Sequence, residues 1–507
     1  MTSLEKIKDL NDLARELETL RDSKRIVQCH GVFDLLHIGH IRYFGQAREM
    51  GDVLVVTVTP DRYVNKGPHR PAFTETLRVE AIAALDVVDY VAVNRWPTAV
   101  ETIELLRPHV YVKGSEYRDA ADDISGKIVD EANAIRAVGG EMAFSDDLTF
   151  SSSALINAHF PTVASEVVDF IADFKERHSA ASVLKYLDGA RDLKVLVVGE
   201  AIIDEYQYCS TIGKSGKEPI LAAKYSSTET SIGGSLAIAN HLASFCDNVT
   251  LLTFLGEFDS QEAFINDRLH AGVDRIFLTL ARCPTIVKRR FVESYPLQKL
   301  FELYIMGDAD EDAECTAALC RKLEETLADY DLVIVADYGH GMIGEAAARI
   351  LCARSRYLAV NTQINADNHG FNTVSKYRRA DFVCISENEL RMEFRSRTRT
   401  LEDITEELAK KLSCERIVIT RGRVGCVCFH CDQGFQIVPA FTQRIVDRVG
   451  AGDAVFAVTS LAANQEAPIE IIGCIGSAVG AQAVHTVANQ SAVDRVALYK
   501  HIESLVK

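Results

Sequence analysis

Short apolar runs alternate with amphipathic helical segments in the first part of the chain. Four runs between residue 25 and about 160 have the character of strands, namely RIVQCH, GDVLVVTVT, DYVAVN and HVYVKG. Helical segments separate them, namely IRYFGQAREM, TLRVEAIAAL, AVETIELL and GKIVDEANAIRAVG. Strands that alternate with helices are typical of a parallel sheet covered by helices on both faces. The pattern predicts a doubly wound α/β domain over residues 25–160.

The same alternation resumes at residue 194 and continues toward the C-terminus. Its strand candidates are KVLVVGEAIIDEY, VTLLTFLG, LVIVADYG, YLAVNT, DFVCIS and RIVITRG. Helical segments such as SLAIANHLASF fall between them, and AAKYSSTETSI is predicted to add a strand at a sheet edge. The pattern therefore predicts a second doubly wound parallel-sheet domain over residues 193–507.

Two segments carry no strand pattern. Residues 1–24 are charged and predict an N-terminal helix, and residues 161–192 are amphipathic and predict a helical linker between the domains. No apolar run approaches the ~20 residues that a membrane span needs. The N-terminal segment also lacks the apolar centre of a secretory signal, so we expect a cytoplasmic protein with no membrane partner.

Composition adds limits to this picture. The chain has 507 residues, of which 48% are hydrophobic and 25% are charged, as in ordinary globular proteins. Its formal net charge of −17 argues against nucleic acid as the main partner, because phosphate backbones need basic surfaces. Small phosphorylated ligands need only a local basic pocket. The 13 cysteines are odd in number and spread along the chain, which indicates reduced thiols.

One group of cysteines is dense enough to consider as a metal site. Cys426, Cys428 and Cys431 lie close together, and His430 or Cys414 would have to act as the fourth ligand. The spacing differs from that of standard zinc sites. We therefore prefer the alternative in which Cys426 and Cys428 alternate along a β-hairpin and face the core.

The string GVFDLLHIGH (31–40) lies between a predicted strand and a predicted helix. Such a turn presents backbone N–H groups and a helix N-terminus, which bind phosphate. His37 and His40 can donate hydrogen bonds to a reacting phosphate or to departing pyrophosphate, and Gly39 allows a nucleotide to approach the backbone. Phe33 and Asp34 are expected to shape the turn. From the His-x-x-His spacing alone, two histidines that merely cap the helix explain the pattern equally well.

The full string resembles the signature of the cytidylyltransferase-like nucleotidyltransferases. The resemblance implies attack of a phosphate on the α-phosphate of a nucleoside triphosphate, either ATP or CTP, with release of pyrophosphate. It also implies site residues. The catalytic residues would be His37, His40 and Lys66; the nucleotide-binding residues would be Gly31, Phe33, Asp34, Gly39, Lys113, Ser152 and Ser153.

Further strings in this half make the resemblance closer. VNKGPHRPAF (64–73) supplies Lys66, His69 and Arg70, and FSSSALI (150–156) places serines at a predicted helix start. With VDYV and VKGSEY, they resemble the nucleotidyltransferase half of bifunctional heptose kinase/adenylyltransferases. Solvated charges and helix caps explain each string taken singly. Arg78 lies on a predicted helix before the third strand.

A second candidate site lies at DRVGAGDAVFA (447–457). The small-residue loop Gly450–Gly452 opens an apolar helix, so its N–H groups and the helix dipole can hold an anion. Asp453 in the first turn can take a proton from a sugar hydroxyl. The alternative is a tight packing turn with an aspartate cap.

This string resembles the D-x-x-G-A-G-D signature of the ribokinase-like (PfkB) carbohydrate kinases, and VLVVGEAIIDEY, SIGGSLAIANHLASF, CPTIVKRRFV, ADYGHGMI and TRGRVGC resemble its flanking elements. The resemblance implies that ATP and Mg²⁺ are required and that Asp453 is the base. The nucleotide-binding residues would be Thr420, Gly422, Gly425, Gly450, Ala451 and Gly452; the substrate-binding residues would be Asp204, Gly233, Gly234, Asn240 and Lys288; and Asn388 and Glu389 would hold the metal through water.

Three features depart from the pattern. The kinase half precedes the nucleotidyltransferase half in the arrangement that the chain resembles, whereas here it follows. Residues 358–377 are longer than the expected segment and have Asn361 in place of an aspartate. Arg391 stands where a second carboxylate is expected, so Glu387 or Glu389 would have to take over contacts with metal-bound water.

The leading hypothesis is a bifunctional enzyme of nucleotide-sugar synthesis. One half would phosphorylate a sugar or sugar phosphate of the heptose 7-phosphate type, and the other would join a sugar 1-phosphate to a nucleotide. One alternative is a kinase combined with a cytidylyltransferase that acts on a polyol or another sugar phosphate. A second alternative is a non-catalytic scaffold that senses nucleotides. A homodimer is among the oligomeric states that the sequence leaves open.

Overall fold

The computed structural model describes residues 2–64, 70–115, 127–145, 164–295, 297–307 and 313–506. The chain divides into two compact units, one of Met1–Ile171 with Val496–Lys507 and one of Ala172–Arg495. The last helix thus groups with the first unit, which the sequence pattern did not indicate. Within the described ranges, none of the helices combines the length and the apolar character needed to cross a membrane.

The first unit is built on a five-stranded parallel sheet in the order β3-β2-β1-β4-β5. Its strands are β1 (Ile26–Gly31), β2 (Val53–Val58), β3 (Tyr90–Val93), β4 (Val110–Lys113) and β5 (Glu141–Phe144). Its first helices are α1 (Leu10–Leu20), α2 (Ile38–Glu49), α3 (Glu75–Ala83), α4 (Val100–Leu106) and α5 (Lys127–Ala137). The strand order reverses between β1 and β4, and the carboxyl ends of strands at such a point form a ligand-binding crevice.

Burial follows the sequence pattern in this unit. β2 reads VLVVTV and all six of its residues are buried, as expected for a strand with helices on both faces. Leu10, Leu13 and Leu17 of α1 recur at helical spacing and are also buried. They pack with Val55 in one core cluster, so the predicted N-terminal helix covers the sheet.

The second unit contains thirteen strands in two sheets in its described part. They are β6 (Lys194–Gly199), β7 (Ala201–Lys214), β8 (Leu221–Gly234), β9 (Asn248–Phe258), β10 (Val273–Pro284), β11 (Ile286–Glu293), β12 (Gln298–Ile305), β13 (Leu332–Asp337), β14 (Leu358–Thr362), β15 (Phe382–Ser386), β16 (Arg416–Thr420), β17 (Cys426–His430) and β18 (Gly434–Val438). Nine form the order β10-β9-β6-β13-β14-β15-β16-β17-β18, and four form β12-β11-β7-β8.

The sheets differ from the prediction in two ways. The nine-stranded sheet is parallel as far as β16 and then turns antiparallel through β17 and β18. The string KVLVVGEAIIDEY, predicted as one strand, forms β6 and β7, which belong to different sheets and meet at Glu200. The predicted edge strand is confirmed, since β8 lies at the edge of the four-stranded sheet.

The remaining helices are α6 (Ser165–Arg177), α7 (Ala180–Asp188), α8 (Ser235–Ala243), α9 (Glu262–Arg268), α10 (Ala313–Thr326), α11 (Glu345–Arg354), α12 (Glu387–Glu393), α13 (Leu401–Leu412), α14 (Ala451–Asn464), α15 (Ile469–Ala483) and α16 (Arg495–Val506). Short 3₁₀ turns lie at Leu4–Lys6, Asp61–Tyr63, Leu327–Asp329, Val374–Lys376 and Gly422–Val424. α14 and α15 are apolar and buried over most of their length, so they form the interior helices of the second unit.

Candidate active sites

The end of β1 and the start of α2 bring the two predicted histidines together. His37 is the N-cap of α2, and its Nδ1 accepts a hydrogen bond from Gly39 N at 3.1 Å. The rings of His37 and His40 stack with centroids 4.0 Å apart. Burial lowers the pKa of His37, which favours the neutral ring. Because Nδ1 accepts, the proton of that neutral ring lies on Nε2, where it can be donated to a ligand.

Gly31 and Phe33 fix the shape of this turn. Phe33 has φ of 48°, and its ring meets that of His40 edge-on with centroids 5.2 Å apart. A Cβ on Gly31 would lie 2.8 Å from Phe33 Cζ, so a larger residue cannot stand beside this ring without a shift. The sequence prediction that Phe33 shapes the turn agrees with this packing.

Asp34 is buried and holds a neighbouring segment in place. Its Oδ1 accepts hydrogen bonds from Ala72 N at 2.7 Å and Phe73 N at 3.1 Å. Its Oδ2 pairs with Arg70 Nη1 at 3.3 Å, and both side chains are almost fully buried. Asp34 was expected among the nucleotide contacts, but its described bonds join the turn after β1 to residues 70–73.

Arg78 on α3 is buried and ties three loops together. Its Nη2 donates to Thr59 O at 2.8 Å and to Asp61 Oδ1 at 2.6 Å, and its Nε donates to Phe73 O at 3.0 Å. Its Nη1 donates to Val32 O. Since these acceptors lie on the loops around the crevice, Arg78 is a positioning residue rather than a phosphate ligand.

The other predicted residues of this site are partly outside the described ranges. Lys113 ends β4, and its Nζ lies 2.7 Å from Glu131 Oε2. Lys113 therefore has a carboxylate partner at the carboxyl end of β4, the strand that pairs with β1. Lys66, His69, Ser152 and Ser153 lie outside the described residues, so their predicted roles stay predictions.

In the second unit, Asp453 is buried in the first turn of α14. Tyr338 donates a hydrogen bond from its hydroxyl to Asp453 Oδ1 at 2.8 Å. Burial is the main cause that raises the pKa of Asp453 to about 7; nearby Asp204 also raises it, whereas Tyr338 and Lys288 lower it. A carboxylate with a pKa near neutral pH is suited to accept a proton from a substrate hydroxyl.

The loop before Asp453 ends in a glycine that starts α14. Gly450 is the N-cap of α14 with φ of 81°, and a Cβ on it would lie 1.8 Å from Asn489 Oδ1. Only glycine fits this position, because both the backbone angle and the neighbour exclude a side chain. The N–H groups of the first turn of α14 are the unpaired donors of the helix start, and such donors stabilise anions.

A cleft of about 610 Å³ is lined by five of the six nucleotide-binding residues predicted for this half and by Asn388, the predicted metal ligand, whereas Gly450 is absent from its described lining. Its walls are formed by the turns after β15 and β16, by the start of α14 and by one side of α15. The predicted residues that line it are Asn388, Thr420, Gly422, Gly425, Ala451 and Gly452. Its volume lies within the range of small-molecule sites.

Four of the five predicted substrate residues lie where β7 pairs with β8 and β11, namely Asp204, Gly233, Gly234 and Lys288. Lys288 lies opposite Asp204 in the register of β11 and β7. Asp204 is buried and forms an ion pair with Arg290, which also donates to Glu302 Oε1 at 3.0 Å. A Cβ on Gly233 would lie 2.2 Å from Asp204 Oδ2, so glycine is required for the approach of this carboxylate.

Alternation along β11 was predicted to send Lys288 and Arg290 to one face and Arg289 to the other. The structure confirms it: Lys288 and Arg290 are buried, whereas Arg289 pairs with Glu205 at 2.7 Å. In the described part of the chain, no carboxylate lies within ion-pair distance of the Lys288 ammonium. It lies instead over the rings of Tyr304 and Tyr338, at 5.0 and 5.9 Å from their centroids.

Glu200 and Tyr338 belong to the strings VLVVGEAIIDEY and ADYGHGMI, but the sequence pattern assigned neither of them a role. Glu200 is buried at the junction of β6 and β7, and it accepts hydrogen bonds from Tyr338 N at 2.9 Å and His340 N at 3.0 Å. It thereby fixes the turn that carries Tyr338 toward Asp453. Burial, with Asp337 nearby, raises the pKa of Glu200 to about 7. A buried carboxylate that directly follows an apolar strand was the signal available in the sequence.

Two predicted ligand residues have other contacts in the structure. The amide of Asn240 donates to Arg268 O at 2.9 Å and accepts from His270 N at 2.8 Å, so it joins α8 to the end of α9. These bonds do not support the predicted contact with a sugar. Glu389 accepts from Ser386 N at 2.6 Å in the capping box of α12. It is buried, which raises its pKa, and it is absent from the described lining of the cleft.

The cysteine group follows the preferred interpretation. Cys426 and Cys428 lie on β17 and are buried, whereas Cys431 is exposed at the hairpin turn. Among the described residues, one group of three metal-ligating side chains has its ligand atoms within 4.8 Å of one another, namely His430, Cys431 and Asp432, which follow one another in sequence. The Cys426–Cys428 pair is therefore a feature of the core beside the cleft.

Two family models match different stretches of the chain. Residues 192–495 match the model described as pfkB family carbohydrate kinase. Residues 29–158 match the model described as cytidylyltransferase-like. Each match contains the candidate site of its own half.

Curated relatives and solved structures add a sequence likeness and a fold likeness. Bifunctional protein HldE of Aliarcobacter butzleri is 38% identical over 135 residues, which are 26% of this chain and 28% of the relative. Bifunctional protein HldE of Geobacter metallireducens is 42% identical over 130 residues, 25% of this chain and 26% of the relative. The matched region thus spans about a quarter of these relatives' length. Phosphofructokinase-2 from Escherichia coli, solved with potassium, superposes with a TM-score of 0.50 at 14% identity, over 61% of this chain and 99% of that chain. This last likeness concerns the fold.

Proposed function

This chain belongs to the pfkB family of carbohydrate kinases, and on that premise we propose that it is a bifunctional enzyme of nucleotide-sugar synthesis. The second unit phosphorylates a sugar or sugar phosphate with ATP. The first unit transfers a nucleotide from a nucleoside triphosphate to a sugar 1-phosphate and releases pyrophosphate. The named relatives, which are called bifunctional, support this pairing.

The observation that carries the kinase proposal is the placement of Asp453. It lies in the first turn of α14, beside a cleft lined by glycine turns, and its pKa is raised to about 7. In the proposed reaction its carboxylate takes the proton of the attacking hydroxyl. The N–H groups of the helix start then stabilise the charge on the phosphoryl group in transfer.

We propose that the kinase substrate already bears a phosphate, as a heptose 7-phosphate does. The support is Lys288, a buried cation opposite Asp204. The described contacts of the Lys288 ammonium are with aromatic rings. Burial lowers the pKa of Lys288, although Asp204 opposes this. A phosphate would provide the anionic partner that a buried ammonium lacks among the described residues, through charge-assisted hydrogen bonds.

The first unit fits nucleotidyl transfer at its crevice between β1 and β4. His37 presents Nε2–H as a donor, and His40 stacks on it. These donors would stabilise charge that develops on the α-phosphate and on leaving pyrophosphate. Arg78 and Asp34 hold the surrounding loops, so the histidines are positioned before the ligand binds.

Magnesium fits the charges of both reactions, because triphosphates need a counter-cation. At the kinase cleft the oxygen ligands would come from Asn388 and Glu387, which line it. The bond from Arg421 is the largest cause that lowers the pKa of Glu387, which keeps that carboxylate charged. The metal would neutralise phosphate charge, while proton transfer remains with Asp453.

Separate activities are the decisive test of this function. His40→Ala should abolish nucleotidyl transfer and leave sugar phosphorylation intact, and Asp453→Ala should do the reverse. Each variant is therefore the control for the other. Loss of both activities in one folded variant would contradict independent sites.

Product identity distinguishes the alternatives. The protein is incubated with ATP, CTP and a panel of sugars, polyols and their phosphates, and products are identified by mass spectrometry. An adenylated heptose supports the main proposal, and a cytidylated polyol phosphate supports the kinase–cytidylyltransferase alternative. Nucleotide binding without turnover in either unit would instead indicate a scaffold.

A further inference from the structure

Two thiols lie in contact on β17, at the wall of the kinase cleft. Cys426 and Cys428 are two residues apart, so their side chains project from the same face of the strand. Both are buried, and their Sγ atoms are 3.6 Å apart, which is hydrogen-bonding distance for sulfur. None of the described cysteines forms a disulfide in the structure.

The helix α15 makes room for this pair. A Cβ on Gly473 would lie 2.8 Å from Cys428 Sγ, so glycine at this position leaves space for the sulfur. Ser477, one turn further along α15, lines the same cleft as Cys426. The bonds from Cys428 and Ser477 lower the pKa of the Cys426 thiol, whereas the bond between the thiols raises that of Cys428. Of the two thiols, Cys426 is therefore the one that loses its proton more readily, and the thiolate is the form that reacts.

Cys426 is also the member of the pair that reaches the cleft. Cys426 and Ser477 both line it, together with Gly425 and Thr420. A small oxidant that enters the empty cleft therefore meets Cys426 first, and Cys428 lies behind it. We propose that Cys426 and Cys428 form a redox-active dithiol, which a peroxide converts to a disulfide that weakens nucleotide binding to the kinase cleft.

The reaction balances with a peroxide as the named oxidant. The Cys426 sulfur attacks one oxygen of hydrogen peroxide, the O–O bond breaks, and Cys426 becomes a sulfenic acid while one water leaves. The Cys428 sulfur then attacks the Cys426 sulfur, the S–O bond breaks, and a second water leaves with the proton of Cys428. Two thiols are oxidised to one disulfide, and the peroxide is reduced to two molecules of water.

Bond formation would displace the turn that precedes Cys426. A disulfide has an S–S distance of about 2.05 Å, so the sulfurs must approach from their present 3.6 Å. Gly425 has little freedom to absorb that movement, because its φ is 107° and a Cβ on it would lie 2.0 Å from Val438 O. Gly425 O accepts from Arg421 N at 2.8 Å, so a shift passes to the turn between Thr420 and Gly425 that lines the cleft.

The test measures the bond and nucleotide affinity on the full chain. The protein is treated with hydrogen peroxide, the peptide that contains residues 426 and 428 is analysed by mass spectrometry, and ATP binding is titrated. We expect loss of two hydrogens from this peptide, at least tenfold weaker ATP binding, and recovery with dithiothreitol. ATP present during treatment should slow the oxidation.

Two variants define the control. Cys428→Ser should not form the bond, and its peptide should gain oxygen at Cys426 instead of losing two hydrogens. Cys474→Ala changes a buried cysteine of α15 and should behave like the native chain. A native protein that forms no disulfide, or one that forms it and binds ATP unchanged, would overturn the inference.

The inference rests on the proposed function only in taking this cleft as the nucleotide site of the kinase. If reduced protein does not bind ATP, the proposed function fails. If reduced protein binds ATP and peroxide leaves both thiols and affinity unchanged, the dithiol inference fails alone. Nucleotidyl transfer by the first unit should be the same before and after formation of the bond.

Discussion

A single hydroxyl lowers the pKa of the proposed base, against the larger effect of burial. Tyr338 donates to Asp453 Oδ1, and this bond favours the charged carboxylate. In Tyr338→Phe the pKa of Asp453 should therefore rise above its present value of about 7. The acidic limb of kcat for the kinase should move to higher pH by about one unit, since hydrogen bonds to charged groups are of that strength. The measurement is kcat against pH.

The matched control is a second buried tyrosine. Tyr377 donates to Asp337 Oδ2 at 2.6 Å and not to Asp453, so Tyr377→Phe should leave the acidic limb in place. If Tyr338→Phe lowers kcat equally at every pH, with an unmoved midpoint, the hydroxyl has only a structural role.

Lys288 should discriminate between phosphorylated and plain sugars. Removing one charge-assisted contact in Lys288→Ala should lower kinase efficiency on a sugar 7- or 6-phosphate by about 10- to 100-fold. Efficiency on the unphosphorylated parent sugar should change little, because that substrate has no anion at the position. Arg289→Ala is the control, since Arg289 points to the other face and pairs with Glu205. Equal losses on both sugars would remove Lys288 from this role.

For single residues, the sequence predicted which face of a strand a side chain occupies better than it predicted the partners of that side chain. Alternation along β11 correctly separated Lys288 from Arg289. The bond between Tyr338 and Asp453 joins residues 115 positions apart, and local periodicity holds no information about such a contact. Asn240 was assigned by resemblance to a sugar site, yet its amide satisfies backbone groups at Arg268 and His270.

Among the elements, the start of α14 is the most constrained. Gly450→Ala would place a Cβ 1.8 Å from Asn489 Oδ1 and force a side chain onto a backbone with φ of 81°. The first turn of α14 must then shift, and with it both the anion site and Asp453. We expect kinase turnover to fall by at least 100-fold with nucleotidyl transfer unchanged, measured by steady-state assays of both reactions.

A double variant separates the two causes. Asn489→Gly removes the side chain that the new Cβ would meet, but it leaves the backbone strain. Gly450→Ala/Asn489→Gly should therefore recover part of the lost turnover. If the double variant is as inactive as the single one, the contact with Asn489 is not what restricts position 450.

Elements with strong apolar runs were predictable because burial dictates their composition. β1 to β4, β13 and β16 are such runs, and their parallel pairing follows from the helices between them. β5 reads EMAF, with no fully buried residue, and it gave no signal. The junction of β6 and β7 was missed because a strand that changes sheets keeps its apolar pattern while its partners change.

Across the whole molecule, each unit carries its proposed site at the carboxyl ends of parallel strands. At such sites a chain with net charge −17 would attract phosphates through local N–H groups and buried cations rather than through surface charge. The crevice between β1 and β4 follows from the strand order, which the sequence pattern left open. The four-stranded sheet of the second unit was indicated in the sequence only through its edge strand.

Because the carboxyl of Asp453 is buried, it should exchange a proton with the buffer when a ligand binds near neutral pH. With a pKa of about 7, the Asp453 carboxyl is protonated in about half of the molecules at that pH. A substrate hydroxyl that donates to the carboxylate would favour its charged form, and the proton would then be released. The heat of sugar-phosphate binding should therefore depend on the buffer. It should be more exothermic in Tris than in phosphate buffer, because Tris takes up the released proton with a large release of heat. Asp453→Asn should make the two titrations coincide, so calorimetry can count the proton without any turnover.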